Sequence, residues 1–187
     1  MIKDFHHFKG NGLSRTEKIQ RKVVELILGS DLTDEKRESS AMWELVHSAG
    51  CCQIGRILAQ KRKLDVEIAE TACVLHDIYV IVEGNYEDHA RRGSKIAREI
   101  LEKSGDFSSK EISAIAEAIA HHNEKHVYAK KPYAELVKDV DVFDCSLYEN
   151  AKGFYVLHKP KDVYEEYVKR IKKVRKELGL EEDKPFR

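Results

Sequence analysis

The chain has 187 residues, a length typical of one domain, and 35% of them are charged. Lysine plus arginine equals aspartate plus glutamate at 33 each, so the formal net charge is zero. Because proteins that bind nucleic-acid polymers or membrane surfaces generally need a basic excess, this balance argues against both kinds of partner. A local basic cluster for a small phosphorylated ligand is compatible with it.

The four cysteines indicate reduced core residues. They occupy positions 51, 52, 73 and 145, with no Cys-x-x-Cys metal knuckle and no spacing typical of a disulfide framework. Residues 1–7 contain no hydrophobic region for secretion, and no apolar run approaches the length of a membrane span. We therefore expect a cytoplasmic protein with no membrane partner.

The hydrophobic periodicity is helical almost throughout, and it predicts an all-α fold, a compact multi-helix bundle of about seven helices. The first predicted helix begins at Ser14 or Thr16 and ends at Gly29, a common type of helix stop. The second covers about residues 34–60, and it places His47 near its middle.

The third predicted helix begins near Asp65, buries an apolar run and ends with His76-Asp77. An imidazole and a carboxylate at the end of a buried helix need a partner, because an unpaired charge costs roughly several kcal/mol there. His47 lies upstream of this pair and Asp141 lies downstream. A divalent metal ion is the partner that suits two histidines and two carboxylates together.

Residues 79–88 are predicted to form a loop, because they contain a Gly-Asn pair and their β-branched run is too short to build a sheet. The fourth predicted helix begins at His89 and continues for about four turns. The fifth covers about residues 108–122, with a serine at its start and two histidines at its end.

The C-terminal part of the chain predicts two more helices. Pro132 suits the first turn of a sixth helix, in which three aspartates, Asp141 among them, alternate with apolar residues. Gly153 marks a predicted break. A final helix is expected over about residues 160–178.

The order of the candidate ligands along the chain resembles the HD superfamily of metal-dependent phosphohydrolases. The resemblance covers about residues 41–145, and it rests on three motifs, at residues 46–49, 71–78 and 140–144. It implies that four side chains bind one metal ion: His47, His76, Asp77 and Asp141. Among the three aspartates of the last motif Asp141 matches the family best, so Asp139 and Asp144 are expected to face outward or to contact another helix.

Two further motifs, at residues 86–94 and 118–123, resemble the extra histidine motifs of the binuclear HD branch. That branch includes diadenosine polyphosphate hydrolases and cyclic-dinucleotide phosphodiesterases. The resemblance implies that Asp77 bridges two ions and that three histidines complete the second site: His89, His121 and His122. Cleavage of cyclic dinucleotides is disfavoured, because Asn123 follows where that branch has an acidic residue and no Gly-Tyr-Pro triplet follows.

Two alternatives stay open for these histidines. His89 can be an ordinary first-turn residue and His121-His122 an ordinary helix end, which would leave a single ion. Alternatively, His122 and His126 are four residues apart, a common zinc spacing, provided that the fifth helix continues toward residue 130.

The resemblance implies one or two divalent metal ions as cofactors. Nitrogen and oxygen ligands favour manganese, iron(II), cobalt, nickel or zinc over magnesium, for which histidine is a poor ligand. The resemblance also implies a single HD-like phosphohydrolase domain over residues 1–187, with a core at about 33–146 and the N- and C-terminal helices packed on it. Whether the chain forms a homo-oligomer stays open.

The activity that the resemblance implies is hydrolysis of a phosphate ester or anhydride by metal-activated water. The expected substrate is a small phosphorylated molecule, and a nucleotide is favoured over a nucleic-acid polymer. Phosphomonoesterase, phosphodiesterase and nucleotide pyrophosphatase activities all stay open. The alternative is a non-catalytic sensor domain that binds a nucleotide or a metal ion without turnover.

The expected catalytic residues lie near the expected ligands. Asp77 fixes the metal ions, and Glu83 is expected to orient the attacking water from the loop. Arg92 and Lys95 are expected to neutralise phosphate oxygens, since charge stabilisation is usually the largest catalytic contribution. Arg92 comes three residues after His89 and shares its helix face. Four tyrosines either line a base-stacking pocket or pack the last helix: Tyr148, Tyr155, Tyr164 and Tyr167.

Overall fold

The computed structural model describes residues 5–187, so the first four residues of the N-terminal segment lie outside the described residues. Within residues 5–187 the chain forms nine α-helices and a short 3-10 turn, without a strand. The predicted all-α fold is confirmed. The helices are α1 (Arg15–Leu28), α2 (Ala41–Arg62), α3 (Val66–Leu75), α4 (Ile78–Glu83), α5 (His89–Ser104), α6 (Ser109–Ala120), α7 (Pro132–Ser146), α8 (Ala151–His158) and α9 (Lys161–Leu178).

Side-chain caps begin several helices where the sequence predicts a start. Ser14 accepts a hydrogen bond from the backbone N–H of Glu17, whose carboxylate accepts one in return from the Ser14 backbone at 2.8 Å. Ser108 and Glu111 form the same capping box before α6, and Asp65 caps α3. Because each such cap stabilises a helix by about 1 kcal/mol, these starts are set by local sequence.

The structure departs from the predicted elements in the region before and after α3. The second helix begins at Ala41, not at residue 34, because Ser40 caps it and residues 34–36 form the separate 3-10 turn. The predicted loop over residues 79–88 is wrong in its first half, where α4 forms from a β-branched run. Burial of Ile78 and its neighbours outweighs the small intrinsic preference of that run against helix.

One further expectation, a break at Gly153, is wrong, because Gly153 lies inside α8. With α4 and α8 the described chain has nine helices where about seven were expected. The alternative zinc pair required the fifth helix to continue toward residue 130. Helix α6 ends at Ala120 and His126 is exposed, so His122 and His126 do not share a helix face.

Helices α2, α3 and α7 form the centre of the bundle. Helix α2 packs against α3 and α7, α3 packs also against α1 and α6, and α5 lies between α4 and α6. Helix α9 covers the outer side of α7. The last five residues of α3 are all buried, so its C-terminal end brings His76 and Asp77 into the middle of the molecule. Among residues 5–187 no helix has both the length and the apolar character needed to cross a bilayer.

Candidate metal centre

Six polar side chains from different parts of the chain meet inside the bundle. The ends of α3 and α6 and the middles of α2 and α7 point to the same place, and the start of α5 closes it. All of the six are buried except for one imidazole, that of His89, which is partly exposed. The six residues are His47 (α2), His76 and Asp77 (between α3 and α4), His89 (α5), His122 (the turn after α6) and Asp141 (α7).

An acceptor atom orients each of the four imidazoles through its Nδ1 atom. His47 Nδ1 lies 2.6 Å from Asp144 Oδ2. Because carbonyl and carboxylate oxygens only accept, the proton of each neutral ring sits on Nδ1, and Nε2 presents a lone pair. The other three rings use the carbonyl oxygen three residues earlier: His76 with Cys73 (2.7 Å), His89 with Tyr86 (3.0 Å) and His122 with Ile119 (2.8 Å).

The Nε2 atoms meet in two pairs, with Asp77 between them. His47 Nε2 lies 3.2 Å from His76 Nε2, and His89 Nε2 lies 3.1 Å from His122 Nε2. Asp77 Oδ2 lies 3.3 Å from His76 Nε2 and 3.9 Å from His47 Nε2. Asp77 Oδ1 lies 3.3 Å from His122 Nε2 and 3.6 Å from His89 Nε2. Facing lone pairs repel, whereas ligand atoms about 2.1 Å from one ion are naturally about 3 Å apart.

The two oxygens of Asp77 test whether this donor set fits a metal ion. Asp77 Oδ1 is buried and makes no hydrogen bond within residues 5–187. The nearby His122 Nε2 does not satisfy it, because in the Nδ1–H tautomer both atoms are acceptors. An unpaired buried carboxylate oxygen is costly, and a divalent cation removes that cost. Imidazole nitrogens and carboxylate oxygens are the ligands of manganese, iron, cobalt, nickel and zinc.

The pKa values around Asp77 also favour a positive charge at this point. Burial lowers the pKa of His76, but the charge and hydrogen bond of Asp77 outweigh burial and raise it to about 9. In His122 burial dominates, and it lowers the pKa to about 4. Burial alone would raise the pKa of Asp77, yet the neighbouring His76 charge holds it well below its usual range. The carboxylate is therefore ionised and attracts a cation.

Asp141 joins the cluster to a lysine that the sequence analysis missed. Asp141 Oδ1 lies 3.7 Å from His47 Nε2, and Asp141 Oδ2 lies 2.5 Å from Lys125 Nζ. Lys125 is buried in the turn that follows α6. Burial would raise the pKa of Asp141, but the Lys125 charge outweighs it and lowers that pKa. Its position in the sequence, three residues after His122, was the one signal that could have indicated a place near the site.

Two more buried carboxylates at the cluster were not predicted to have these roles. Asp144 accepts a hydrogen bond from the Nδ1 of His47. This role could have been inferred from the sequence, because Asp144 comes three residues after Asp141 and shares its face of α7. Asp139 and Asp144 were expected to face outward or to contact another helix, and both are buried in helix contacts. Glu44 lies one turn before His47, where burial and then the charge of Asp77 raise its pKa to about 7.

The structure does not bring four of the predicted site residues to the cluster. His121 Nδ1 lies 3.0 Å from Glu124 Oε2 in the turn after α6. The Arg92 guanidinium donates to the Tyr79 hydroxyl at 2.6 Å and lies over its ring, 5.3 Å from the centroid. The other two side chains are exposed and line no part of the adjacent cavity. The four residues are Glu83, Arg92, Lys95 and His121.

The comparisons with known proteins identify the family of this chain. The family model of the HD domain matches residues 45–146, more than half of the chain. The chain belongs to the HD-domain superfamily. Membership supports hydrolase activity in general and, together with the His/Asp cluster, suggests that the protein binds a divalent metal ion.

Two kinds of relative resemble this HD-domain protein. A crystal structure of a predicted HD superfamily hydrolase from an uncultured Thermotogales bacterium has a TM-score of 0.55 and 18% identity, over 85% of this chain and 88% of the other, which shows the fold alone. Ribonuclease Y of Borreliella burgdorferi is 40% identical over 91 residues, 47% of this chain and 16% of the ribonuclease. Ribonuclease Y of Chlorobium phaeobacteroides is 33% identical over 102 residues, 54% of this chain and 18% of the ribonuclease. The HD-domain chain therefore spans less than a fifth of these ribonucleases.

A cavity of about 790 Å³ opens beside the cluster of this HD-domain protein. Five of the six cluster residues reach its wall, and His76 lies behind them. The volume is in the range of small-molecule sites, about 300–1,000 Å³. Of the four C-terminal tyrosines, Tyr164 lies instead against Phe186. The aromatic residues of the cavity wall are Trp43, Tyr86, Tyr148, Phe154, Tyr155 and Tyr167.

Proposed function

We propose that the protein is a metal-dependent phosphohydrolase that cleaves a phosphate ester or anhydride of a nucleotide-like small molecule. One observation carries the proposal: four imidazole Nε2 atoms converge on Asp77, each with its Nδ1 already held by an acceptor. Such an array of ligand atoms favours divalent metal ions. Divalent ions bound beside a cavity can assist phosphate hydrolysis by polarising phosphoryl oxygens and activating water. The adjacent cavity of about 790 Å³ supports a small substrate.

We further propose that the site takes two ions, with Asp77 between them. Asp77 Oδ2 faces His47 and His76, whereas Asp77 Oδ1 faces His89 and His122. The first ion would use His47, His76, Asp77 and Asp141, and the second would use Asp77, His89 and His122. The separate direction of the two carboxylate oxygens supports a bridging role, since a single ion would need only one of them.

The residues of the chain have distinct tasks in this proposal. Bound divalent ions would supply Lewis acidity and lower the pKa of a coordinated water from about 15.7 to about 7. Asp144 keeps the His47 ring in the ligand orientation. Lys125 provides a fixed positive charge beside Asp141, where negative charge develops on phosphate oxygens. With a substrate bound, the aromatic cavity wall would shield the site from bulk water and strengthen these electrostatic interactions.

The direct test replaces Asp77 with alanine. Asp77→Ala is expected to remove bound metal and hydrolysis together, because both groups of ligands lose their shared carboxylate. The helical circular dichroism spectrum should stay unchanged, since Asp77 is not part of the hydrophobic core that packs the helices. The assay is elemental analysis plus hydrolysis of chromogenic phosphate esters and a nucleotide panel with manganese, cobalt or nickel. The matched control is Asp183→Ala, which changes an exposed aspartate.

Full activity in a metal-free Asp77→Ala protein would reject the mechanism. Tight binding of nucleotides by the wild-type protein, without hydrolysis of any ester or anhydride, would instead support the non-catalytic sensor. In either case the Asp183→Ala variant must behave like the wild type, because its side chain lies outside the cluster.

The number of ions is tested by two neighbouring histidines. His122→Ala is expected to lower the metal content by about one ion per chain, because His122 faces Asp77 Oδ1. His121→Ala is the matched control, since His121 bonds to Glu124 instead. Elemental analysis of freshly purified proteins measures both. Equal metal content in His122→Ala and wild type would contradict the second ion, and a loss in His121→Ala would restore the original sequence prediction.

RNA phosphodiesterase activity is a second candidate. The similarity to Ribonuclease Y of Borreliella burgdorferi, 40% over 91 residues, favours it. The balanced charge of the chain argues the other way, because an RNA polymer presents many phosphates to neutralise. Hydrolysis of a short single-stranded RNA at a higher kcat/KM than any mononucleotide would establish this second function.

A further inference from the structure

The C-terminal part of the chain, beyond the HD match, builds one wall of the cavity. The family match ends at residue 146, and α8 and α9 follow it. Tyr155, Lys159 and Tyr167 from this part line the same cavity as the His/Asp cluster. This wall of the cavity therefore lies outside the residues that the HD-domain model matches.

Two lysines stand at this wall, on the same aromatic ring. Lys125 Nζ lies 5.6 Å from the centroid of the Tyr167 ring, and Lys159 Nζ lies 6.0 Å from it. Both lysines line the cavity, and Lys125 also reaches Asp141 at 2.5 Å. The two ammonium groups thus form a positive edge that begins at the His/Asp cluster and continues along the C-terminal wall.

The two ammonium groups of this positive edge are not fully balanced by carboxylates. No carboxylate pairs with Lys159 in the part of the chain that the structure describes, residues 5–187. Burial and then the charge of Lys125 lower the pKa of Lys159. Asp141, the carboxylate that pairs with Lys125, also faces His47 and is one of the proposed metal ligands. An anion between the two lysines would relieve this imbalance.

A buried arginine fixes the backbone that carries Lys125. Arg170 of α9 is fully buried, and its Nε donates to the Lys125 carbonyl oxygen at 2.5 Å. Its Nη2 donates to the Val127 carbonyl oxygen at 3.1 Å, and Lys138 Nζ donates to the same oxygen at 2.9 Å. Because these bonds hold the turn in place, the ammonium of Lys125 is held at the cavity before any ligand arrives.

We propose that Lys125 and Lys159 hold a terminal, dianionic phosphate of the substrate beside the metal cluster, so that the C-terminal helices select monoesters and anhydrides over internal diesters. The proposal rests on the proposed function and narrows its substrate class. A terminal phosphate carries close to two negative charges at neutral pH, whereas a diester carries one. Two ammonium groups in a low-dielectric cavity therefore stabilise the terminal phosphate more.

The test measures binding of inorganic phosphate, which carries no scissile ester, by titration calorimetry to manganese-loaded protein. Lys159→Met is expected to weaken phosphate binding about tenfold, or about 1.4 kcal/mol, and Lys159→Arg should keep most of it. Lys152→Met is the matched control, because Lys152 is exposed on α8 and does not line the cavity. Equal phosphate affinity in Lys159→Met and Lys152→Met overturns the proposal.

Kinetics separate a failure of this proposal from a failure of the proposed function. For p-nitrophenyl phosphate, Lys159→Met should raise KM about tenfold with kcat within about twofold, while KM for bis(p-nitrophenyl) phosphate should change less. A larger increase in KM for the diester than for the monoester would overturn the proposed preference for terminal phosphates. If the wild type hydrolyses neither ester, the proposed function fails, and phosphate calorimetry still decides the role of Lys159. Preferred hydrolysis of single-stranded RNA over mononucleotides would also overturn the inferred substrate class.

Discussion

Asp139 and Asp141 lie two residues apart on α7, and both are buried, yet their surroundings differ. Both oxygens of Asp139 are paired with cations: Oδ1 with Arg170 Nη1 at 2.7 Å, and Oδ2 with Arg62 Nη2 and Lys173 Nζ, each at 2.8 Å. Asp141 pairs with Lys125 through Oδ2, but its Oδ1 faces His47 Nε2, and the Oδ1 of the neighbouring Asp77 has no hydrogen-bond partner within residues 5–187. The first region is satisfied by the chain itself, whereas the second requires something that the chain does not supply.

The Asp139 region connects three helices. Arg62 reaches it from α2, and Arg170 and Lys173 reach it from α9. Arg170 is fully buried and also pairs with Glu135 at 2.9 Å. Removal of the Asp139 charge is costly, because Arg170 stays fully buried and keeps only part of its carboxylate contacts. This network holds α9 on α7 and, through Arg170, holds the turn that carries Lys125.

The difference between the two regions shows how buried charges can be divided between structure and function. A buried carboxylate with both oxygens paired belongs to the structure of the protein, and loss of one of its partners is expected to lower the free energy of unfolding. A buried carboxylate with one unpaired oxygen, such as Asp77, lowers the stability of the folded protein. Destabilising features of this kind are expected at functional sites. Four predictions test this division, from the largest effect to the smallest.

Asp139→Asn is expected to lower the free energy of unfolding by about 3–5 kcal/mol, because three cations lose their shared partner inside the protein. The metal content of the folded protein should stay unchanged, since Asp139 faces away from the cluster. Urea denaturation followed by circular dichroism measures the first quantity, and elemental analysis measures the second. Asp183→Asn, at an exposed position, is the matched control. Equal stability of the two variants would contradict a structural role for the network.

Asp144→Asn is expected to weaken metal binding about 10–100-fold, because the carboxylate that orients His47 loses its charge. The free energy of unfolding without added metal should change much less than in Asp139→Asn, since Asp144 has a single imidazole partner. Competition with a chromogenic chelator measures the affinity. Wild-type affinity in Asp144→Asn would mean that the His47 orientation does not depend on this carboxylate.

A glycine offers an independent change to the same contact. A Cβ atom at Gly50 would collide with Asp144 Oδ1, so Gly50→Ala should displace the carboxylate from His47 and weaken metal binding in the same direction. Gly153→Ala is the matched control, because its Cβ would meet no atom within 4 Å. Weaker metal binding in Gly50→Ala than in Gly153→Ala, together with weaker metal binding in Asp144→Asn, would identify Asp144 as the residue that positions His47. Equal metal affinity of the two glycine variants would contradict that role.

The fold could be predicted wherever local signals determine helix ends. Capping boxes at Ser14 and Ser108 and the proline at the start of α7 are written in the sequence, and those helices begin where they were expected. Helix α4 could not be predicted in this way, because its β-branched residues have a weak local preference against helix. Tertiary burial at Ile78 decides its structure.

The candidate site was predictable to the extent that it depends on helix register and family motifs. The structure brings together six of the seven residues that were expected to bind metal, and the exception is His121. That exception depends on the turn after α6, where one residue of backbone rotation turns His122 inward and His121 toward Glu124. Lys125 lies in the same turn, whose backbone is held by long-range contacts with Arg170 and by Lys138. Periodicity cannot describe such a turn.

The smallest expected effect is the response of the Asp139 network to acid. Burial would raise the pKa of Glu135, but hydrogen bonds from Lys138 and Arg170 outweigh it and hold the pKa below its ordinary 4.5. The folded protein therefore releases this proton more readily than the unfolded chain. The ionised carboxylate contributes stability that is complete above pH 4.5 and is lost as the pH falls through the lower, folded-state pKa.

Glu135→Gln should consequently make the free energy of unfolding fall less steeply with acidification below pH 4.5. Urea denaturation at neutral pH and at several acidic values measures the slope. Glu165→Gln is the matched control, since Glu165 is exposed on α9 and lies 4.0 Å from the exposed Lys161. A slope in Glu135→Gln equal to that of the wild type would contradict a role for Glu135 in the acid response of the network. A reduced slope, with metal release in the same pH range unaffected, would show that the two regions titrate independently although they share α7.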